Sequence, residues 1–245
     1  MKPAEKLARA IAAAKKDESA RSTSVAEWPE TIVEAVIYHR LHIGMCARDA
    51  LKSFRMLEDE FVDWNEVRVS TIKEIREQPP DGGASLDTAG VSKDFLEHVF
   101  RERQRIDLEY LDEATLTEAR KFLRQIRGID PATIEAILLK SRNHPVLPLN
   151  PELEALVTSS GLVAADETRD RKAKALFEKI ADGDALGLHL FLLDVSRELG
   201  PREEHVLTGC KTVLKSTLAP LLKKSRSATA AKKSATPEPT ADESS

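Results

Sequence analysis

The sequence has little of four things, and each shortage removes a class of protein. Its 245 residues hold two cysteines, Cys46 and Cys210, far apart in the chain. Neither a disulfide framework nor a paired-cysteine metal knuckle is built from these, and free thiols in a reducing, cytoplasmic setting are expected. Aromatic residues make up 4% of the chain. No uncharged apolar run reaches the roughly 18 to 20 residues needed to span a bilayer, so no membrane crossing is expected. The first twenty residues are basic and alanine-rich but lack the apolar stretch of a secretory signal. Alternating strand patterns are nearly absent, the short Val62 to Val69 being the one candidate. Walker A, G-x-G-x-x-G, G-x-S-x-G and H-E-x-x-H motifs are missing too, which leaves P-loop, dinucleotide, serine-hydrolase and zincin readings without support.

What is present reads as helix. Hydrophobic residues make 41% of the chain and charged residues 32%, the balance of a globular protein with one sizeable core. Ala47, Ala50, Leu51, Phe54, Leu57 and Phe61 recur at three and four residues and share one helical face. Thr71 with Glu74 and Thr115 with Glu118 are capping boxes that open two further helices. After the second box, Leu116, Ala119, Phe122, Leu123 and Ile126 form an apolar stripe. Ala185 to Leu199 is another apolar helix, stopped by Gly200 and Pro201. The loop from Pro79 to Gly90 is the clearest internal break. Residues 1–27 are expected to be a loosely attached basic helix or linker, 28–222 an all-α body, and 223–245 a disordered basic tail. The net charge of −4 conceals a +2 tail, leaving the body at −6. Such a body does not advertise nucleic-acid binding, which draws most of its affinity from basic side chains on phosphates. The tail is a possible contact for a protein partner.

The informative stretch is KFLRQIRGIDPATIEAILLK, residues 121–140. An apolar helix ends at Ile126, the turn Arg127-Gly128-Ile129-Asp130 follows, and Asp130 and Pro131 have the character of the N-cap and first residue of a new helix. Gly128 allows the tight turn and Ile129 fills the space between the helices. A hairpin of this kind aims backbone N–H groups at a phosphate. Arg124, Arg127, Gly128, Ile129, Asp130, Ala132 and Thr133 are the candidate DNA-contacting residues. An ordinary αα-turn in a bundle has the same local pattern.

This hairpin, together with HPVLPLNPELEALVTSSGLV (His144 to Val163) and DEFVDWNEVRVSTIKEI (Asp59 to Ile75), resembles the helix-hairpin-helix DNA glycosylase superfamily, most closely endonuclease III and its bacterial relatives. The resemblance covers roughly residues 28–200 and implies a two-lobed all-α fold. The same resemblance implies a hairpin beside a cleft in which base-excision-repair chemistry on DNA would take place. It also implies departures. The family hairpin reads L-P-G-V-G-x-K-T-A, and the lysine that forms a Schiff base with the sugar falls at Ala132. The second hairpin glycine is Asp130, and the family's catalytic aspartate falls at Asn150. A methyl group is no nucleophile, and an amide carries no charge at neutral pH. No catalytic residue is therefore assigned.

Glu152 is expected to point away from the site, since two helical residues rotate a side chain by about 200°. Lys140, eight residues past Ala132, reads as a surface lysine. In many relatives four closely spaced cysteines hold an iron–sulfur cluster after the last core helix; only Cys210 lies there, so no cluster is expected. His39 and His42 share an i, i+3 spacing without a third ligand, which makes a metal role unlike the known motifs. For the side chain that would fill the gap left by a flipped base, Arg40 and His42 are the nearest candidates. Three functional expectations follow from these residues: a DNA-binding protein on a glycosylase scaffold without its chemistry, an active glycosylase with relocated catalytic groups, or a helical interaction scaffold.

Overall fold

The computed structural model describes residues 3–77, 86–126, 129–180, 185–200, 211–218 and 222. Arg127, Gly128, Cys210, most of the predicted 79–90 loop and the 223–245 tail lie outside the described residues. Among the described residues every regular element is helical. In chain order they are α1 Pro3–Lys16, α2 Glu18–Ala26, α3 Ile32–Gly44, α4 Ala47–Glu60, α5 Trp64–Val69, α6 Ile72–Glu77, α7 Leu86–Arg103, α8 Tyr110–Glu113, α9 Leu116–Gln125, α10 Pro131–Arg142, α11 Pro151–Ser159, α12 Arg169–Phe177 and α13 Ala185–Leu199. Residues 211–218 form a further helical stretch. No helix among them is long and apolar enough to cross a membrane.

The local signals act where they stand. Thr115 Oγ accepts from the Glu118 N–H while the Glu118 carboxylate accepts from the Thr115 N–H, a complete capping box. Thr71 and Glu74 do the same at 2.6 and 3.2 Å. Gly200 ends α13 at φ +79°, a left-handed conformation in which a side chain would be strained. The proposed strand at Val62 to Val69 is instead α5. Asp63 accepts from the Glu66 N–H at 2.8 Å and Glu66 reaches back to the Val62 N–H at 2.7 Å, so capping overrides the β-branched alternation.

Two groups of helices meet along α3 and α10. In the first, α1 and α2 pack on α13, α2 also on α4, and α11 against α13. In the second, α7 receives α5 and α6, and α9 packs on α10. Helix α3 touches α4, α7, α10 and α13, which puts it at the seam. The loosely attached N-terminal helix is thereby corrected. Leu7, Ala10, Ile11 and Ala14 of α1 are buried in the core, and the alanine-rich composition reflects close approach to α13. Arg21 of α2 is buried as well. It pairs with Asp194 of α13 at 2.9 Å, donates to the Ala14 carbonyl and lies over the Phe191 ring. Arg197 completes the group, bonding both Asp194 and the Met45 carbonyl.

An aromatic cluster of Trp28, Tyr38, His42, Phe54 and Trp64 fills the junction of α2, α3 and α4. His42 donates through Nδ1 to the Tyr38 carbonyl at 3.0 Å, while its buried Nε2 has no partner. Burial holds this imidazole down to about 4. The unfolded chain titrates near 6.5, so the unfolded state takes up a proton that the native state refuses. The stabilisation is complete above about pH 6.5 and is lost as pH falls toward 4. We expect His42→Leu to flatten the stability profile between pH 7 and pH 4 by roughly 3 kcal/mol, read from denaturant unfolding at a series of pH values. An unchanged slope in the variant would refute the assignment.

Candidate functional site

The site grows from the N-terminus of α10. Asp130 stands at its cap in extended conformation, with Pro131 as the first helical residue. The Asp130 Oδ1 accepts from the Ala132 and Thr133 N–H groups at 3.0 and 3.1 Å. Its Oδ2 accepts from the Thr133 hydroxyl at 2.5 Å and from Arg40 at 3.2 Å. The amides that would hold a phosphate therefore face a carboxylate supplied by the hairpin itself. Ile129 is buried and bonds back to the Ile126 carbonyl, as the plug of the hairpin should. Across the hairpin, Arg120 of α9 meets Glu135 of α10 through two contacts of 2.9 Å. His144 stands beside Arg120 and Glu135, and burial pushes its imidazole below the usual range.

The second wall is the extended run His144 to Asn150 and the start of α11. Leu147 and Leu149 point into the core, and Leu147 donates to the Ala173 carbonyl at 3.2 Å. Asn150 caps α11, its Oδ1 accepting from the Leu153 N–H at 2.8 Å, and Pro151 follows as the first residue.

Between the two walls lies a cavity of about 230 Å³. Arg40 and Ile43 of α3 border it, with Asp130, Pro131 and Ala132 from the hairpin, Leu149, Asn150, Pro151 and Glu152 from the second wall, and Arg169 of α12. Ala132 and Asn150, the two positions at which the family's lysine and aspartate fall, thus face one hollow. Glu152 borders it as well, contrary to the expectation from helical rotation. The cavity lies at the N-terminal end of α11, where the cap Asn150 and the first-turn residues Pro151 and Glu152 all border it. The charged lining residues balance, Arg40 and Arg169 against Asp130 and Glu152. Arg169 is bonded to Glu154 at 2.8 Å, and Arg40 to Asp130.

The remaining candidates scatter. Arg124 is exposed on the last turn of α9. Lys140 lies far along α10 from Ala132, exposed at the rim of two other hollows, one against Trp28 and one against Leu186. His42 belongs to the aromatic cluster and Arg40 to the cavity. Among the described residues no three His, Cys, Asp or Glu side chains converge as a metal set, and Cys46 is a free thiol.

The sequence reading missed a buried polar chain behind the cavity. Thr133 Oγ lies 3.0 Å from His39 Nδ1, and His39 Nε2 lies 2.8 Å from His189 Nε2. His189 Nδ1 lies 2.9 Å from the Pro148 carbonyl. His39, Thr133 and His189 are fully buried, and the two rings stack at 5.1 Å. The chain links both walls, from Asp130 to the residue two before Asn150. His39 was legible only as a neighbour of His42; nothing local points to a partner on α13.

Asp130 adds bonds to the Thr133 hydroxyl and Arg40 to its cap, so its loss should cost toward the upper end of the range for a lost cap. Asp130→Ala is expected to destabilise by about 1–2 kcal/mol and Asp130→Asn, which still accepts the two amides, by less. Urea unfolding with an unchanged m-value measures both; equal costs for the two variants would remove the capping account.

No protein-family model matches the chain. Among curated proteins, the chain is similar to At3g47830 of Arabidopsis thaliana, named as a candidate DNA glycosylase, with 24% identity over 153 residues. That match covers 62% of this chain and 52% of the relative. Protein ROS1A of Oryza sativa subsp. japonica is 28% identical over 102 residues, covering 42% of this chain and 5% of its own length. DNA glycosylase/AP lyase ROS1 of Arabidopsis thaliana is 24% identical over 102 residues, covering 42% of this chain and 7% of its own. The chain thus spans about half the length of the first relative and a small part of the others. Its all-helical fold is the one expected of a helix-hairpin-helix glycosylase, and its sequence is similar to proteins named as DNA glycosylases.

Proposed function

We propose that this chain binds DNA on a glycosylase-like helical scaffold and performs neither the lyase nor the base-excision step of that family. The observation that carries the reading is the pairing of Ala132 and Asn150 on one cavity. On the correspondence the resemblance implies, the attacking amine is replaced by the buried methyl of Ala132 and the carboxylate by the Asn150 amide, whose oxygen accepts from the Leu153 N–H. The relatives' names supply the DNA, and the packed pair α9 and α10 supplies the framework. With two cysteines in the chain, the reading includes no iron–sulfur cluster.

Affinity on this reading is weak and falls steeply with salt. The cavity lining is charge-balanced, so the contribution comes from exposed basic residues such as Arg124 at the end of α9. Arg127 and Gly128, which follow α9 in the sequence, belong to the same proposed contact. Ala132 and Thr133 would meet a phosphate only by releasing Asp130.

A second reading has one observation in its favour. Glu152 is an exposed carboxylate at the cavity rim, so a relocated catalytic acid or base is chemically available.

We expect purified protein incubated with abasic duplex DNA and borohydride to give no trapped adduct, and none to form with Lys140→Ala either. A trapped complex with the wild type would overturn the proposal. Glycosylase activity on a damaged or modified base that disappears in Glu152→Gln would establish the second reading. In the double variant Ala132→Lys, Asn150→Asp, appearance of a trapped adduct would mark the scaffold as intact with its chemistry removed.

A further inference from the structure

We propose that Asp130, Thr133, His39 and His189 form one proton-binding unit, and that uptake of a single proton discharges the carboxylate at the mouth of the cavity. The argument is a count of hydrogens. Four contacts run in series: Asp130 Oδ2 to Thr133 Oγ, Thr133 Oγ to His39 Nδ1, His39 Nε2 to His189 Nε2, and His189 Nδ1 to the Pro148 carbonyl. A carbonyl only accepts, so His189 must carry its proton on Nδ1. An ionised Asp130 only accepts, so Thr133 must give its hydroxyl proton to the carboxylate. His39 then has one proton for two contacts. Placed on Nδ1, it leaves two ring lone pairs facing each other at 2.8 Å; placed on Nε2, it leaves a lone pair facing Thr133 Oγ. With the carboxylate charged and both rings neutral, the chain is one proton short.

One added proton satisfies every link. It enters from solvent at Asp130, the member of the chain that is not buried. Asp130 then donates to Thr133, Thr133 to His39 Nδ1, His39 Nε2 to His189, and His189 Nδ1 to Pro148. Only O–H and N–H bonds change, and the net charge of the unit rises by one. The same proton lodged between the rings would make a buried imidazolium beside an ionised carboxylate. Burial opposes that isomer, holding His39 well below the usual range and His189 down to about 4. A proton placed on the Asp130 carboxylate completes all four contacts and leaves both buried rings neutral.

The groups facing the unit act on the same balance. Asp130 meets Arg40 from α3, with Glu152 of α11 and Arg169 of α12 across the cavity. His39 meets His189, with His42 and Arg40 on its own helix and the Trp28 ring beside it. His189 meets the field of Asp130 and His42.

The consequence for DNA rests on the function proposed above. A discharged Asp130 no longer sets a negative charge against an incoming phosphate, and Arg40 loses its anionic partner. DNA affinity therefore rises as pH falls. Asp130→Asn imitates the discharged state, since its amide donates to Thr133 while its oxygen still accepts the two backbone amides.

The test is ring-nitrogen NMR on the 15N-labelled full chain over a pH series, beside fluorescence anisotropy on duplex DNA at constant salt. In the wild type both rings should change in one shared step, with His39 protonated on Nε2 at the low-pH end. Asp130→Asn should hold His39 at Nε2–H throughout, and Thr133→Val should separate the rings from Asp130. DNA binding should tighten several-fold toward low pH in the wild type and lose that dependence in Asp130→Asn. Rings that titrate identically in the wild type and Asp130→Asn would overturn the proton unit. Rings that respond as expected, in proteins that bind no DNA at any pH, support the unit and overturn the DNA-binding reading instead.

Discussion

Two imidazole nitrogens held 2.8 Å apart in a dry core set the terms for the rest of this molecule. His39 sits on α3 and His189 on α13, and neither ring is complete without a second partner. Thr133 at the start of α10 and the carbonyl of Pro148 before α11 supply those partners. A polar group buried without a hydrogen bond is costly, so each link constrains the next. The apolar side chains around the rings tolerate small shifts in packing; the polar chain does not. It fixes how the hairpin, α3 and the second wall are placed relative to one another, and hence the shape of the cavity between them.

At the hairpin itself, one residue decides what the N-terminus of α10 can do. A helix start with unsatisfied amides is a ready site for an anion. Asp130 fills that site with the chain's own carboxylate, and Arg40 is then drawn toward the carboxylate instead of toward solvent. The start of α10 thus meets a carboxylate from its own cap, which is itself held by Arg40. On the other wall Asn150 plays the same local part, its amide oxygen capping α11. Both caps favour stability, and both residues border the same hollow.

Features set within a few residues were legible in the sequence. The capping boxes, the cap at Asp130, the stripe on α4 and the glycine stop of α13 all depend on close neighbours in the chain. The resemblance carried by the hairpin added the fold and the positions Ala132 and Asn150. What the sequence hid was long-range. His39 meets His189 across 150 positions, and Arg21 meets Asp194 across 173. A histidine bound for a buried chain looks like any other histidine on an apolar helix. The N-terminal helix looked peripheral because alanine gives a weak hydrophobic signal, although small side chains are what let α1 lie close on α13. Glu152 was misplaced because rotation about a helix axis says nothing of a cavity that lies beyond its end. The Val62 to Val69 alternation failed because Asp63 and Glu66 close a capped turn within it.

Helix α13 joins these long-range features into one frame. From Ala185 to Val195 nearly every described side chain is buried, and the polar exceptions on this face are His189 and Asp194. His189 secures the cavity side. Asp194 secures the other, binding Arg21 of α2 and Arg197, which in turn holds the Met45 carbonyl at the end of α3. A carboxylate buried with two guanidinium groups adds little net stability over an apolar packing, yet removing one partner strands the other in a low-dielectric interior. Such a cluster therefore fixes position more than it adds energy. With α13 braced by the N-terminal helices, the ring of His189 has a defined place, and through His39 and Thr133 so does the carboxylate of Asp130. The N-terminal helices thus help to position the cavity without any of their residues lining it.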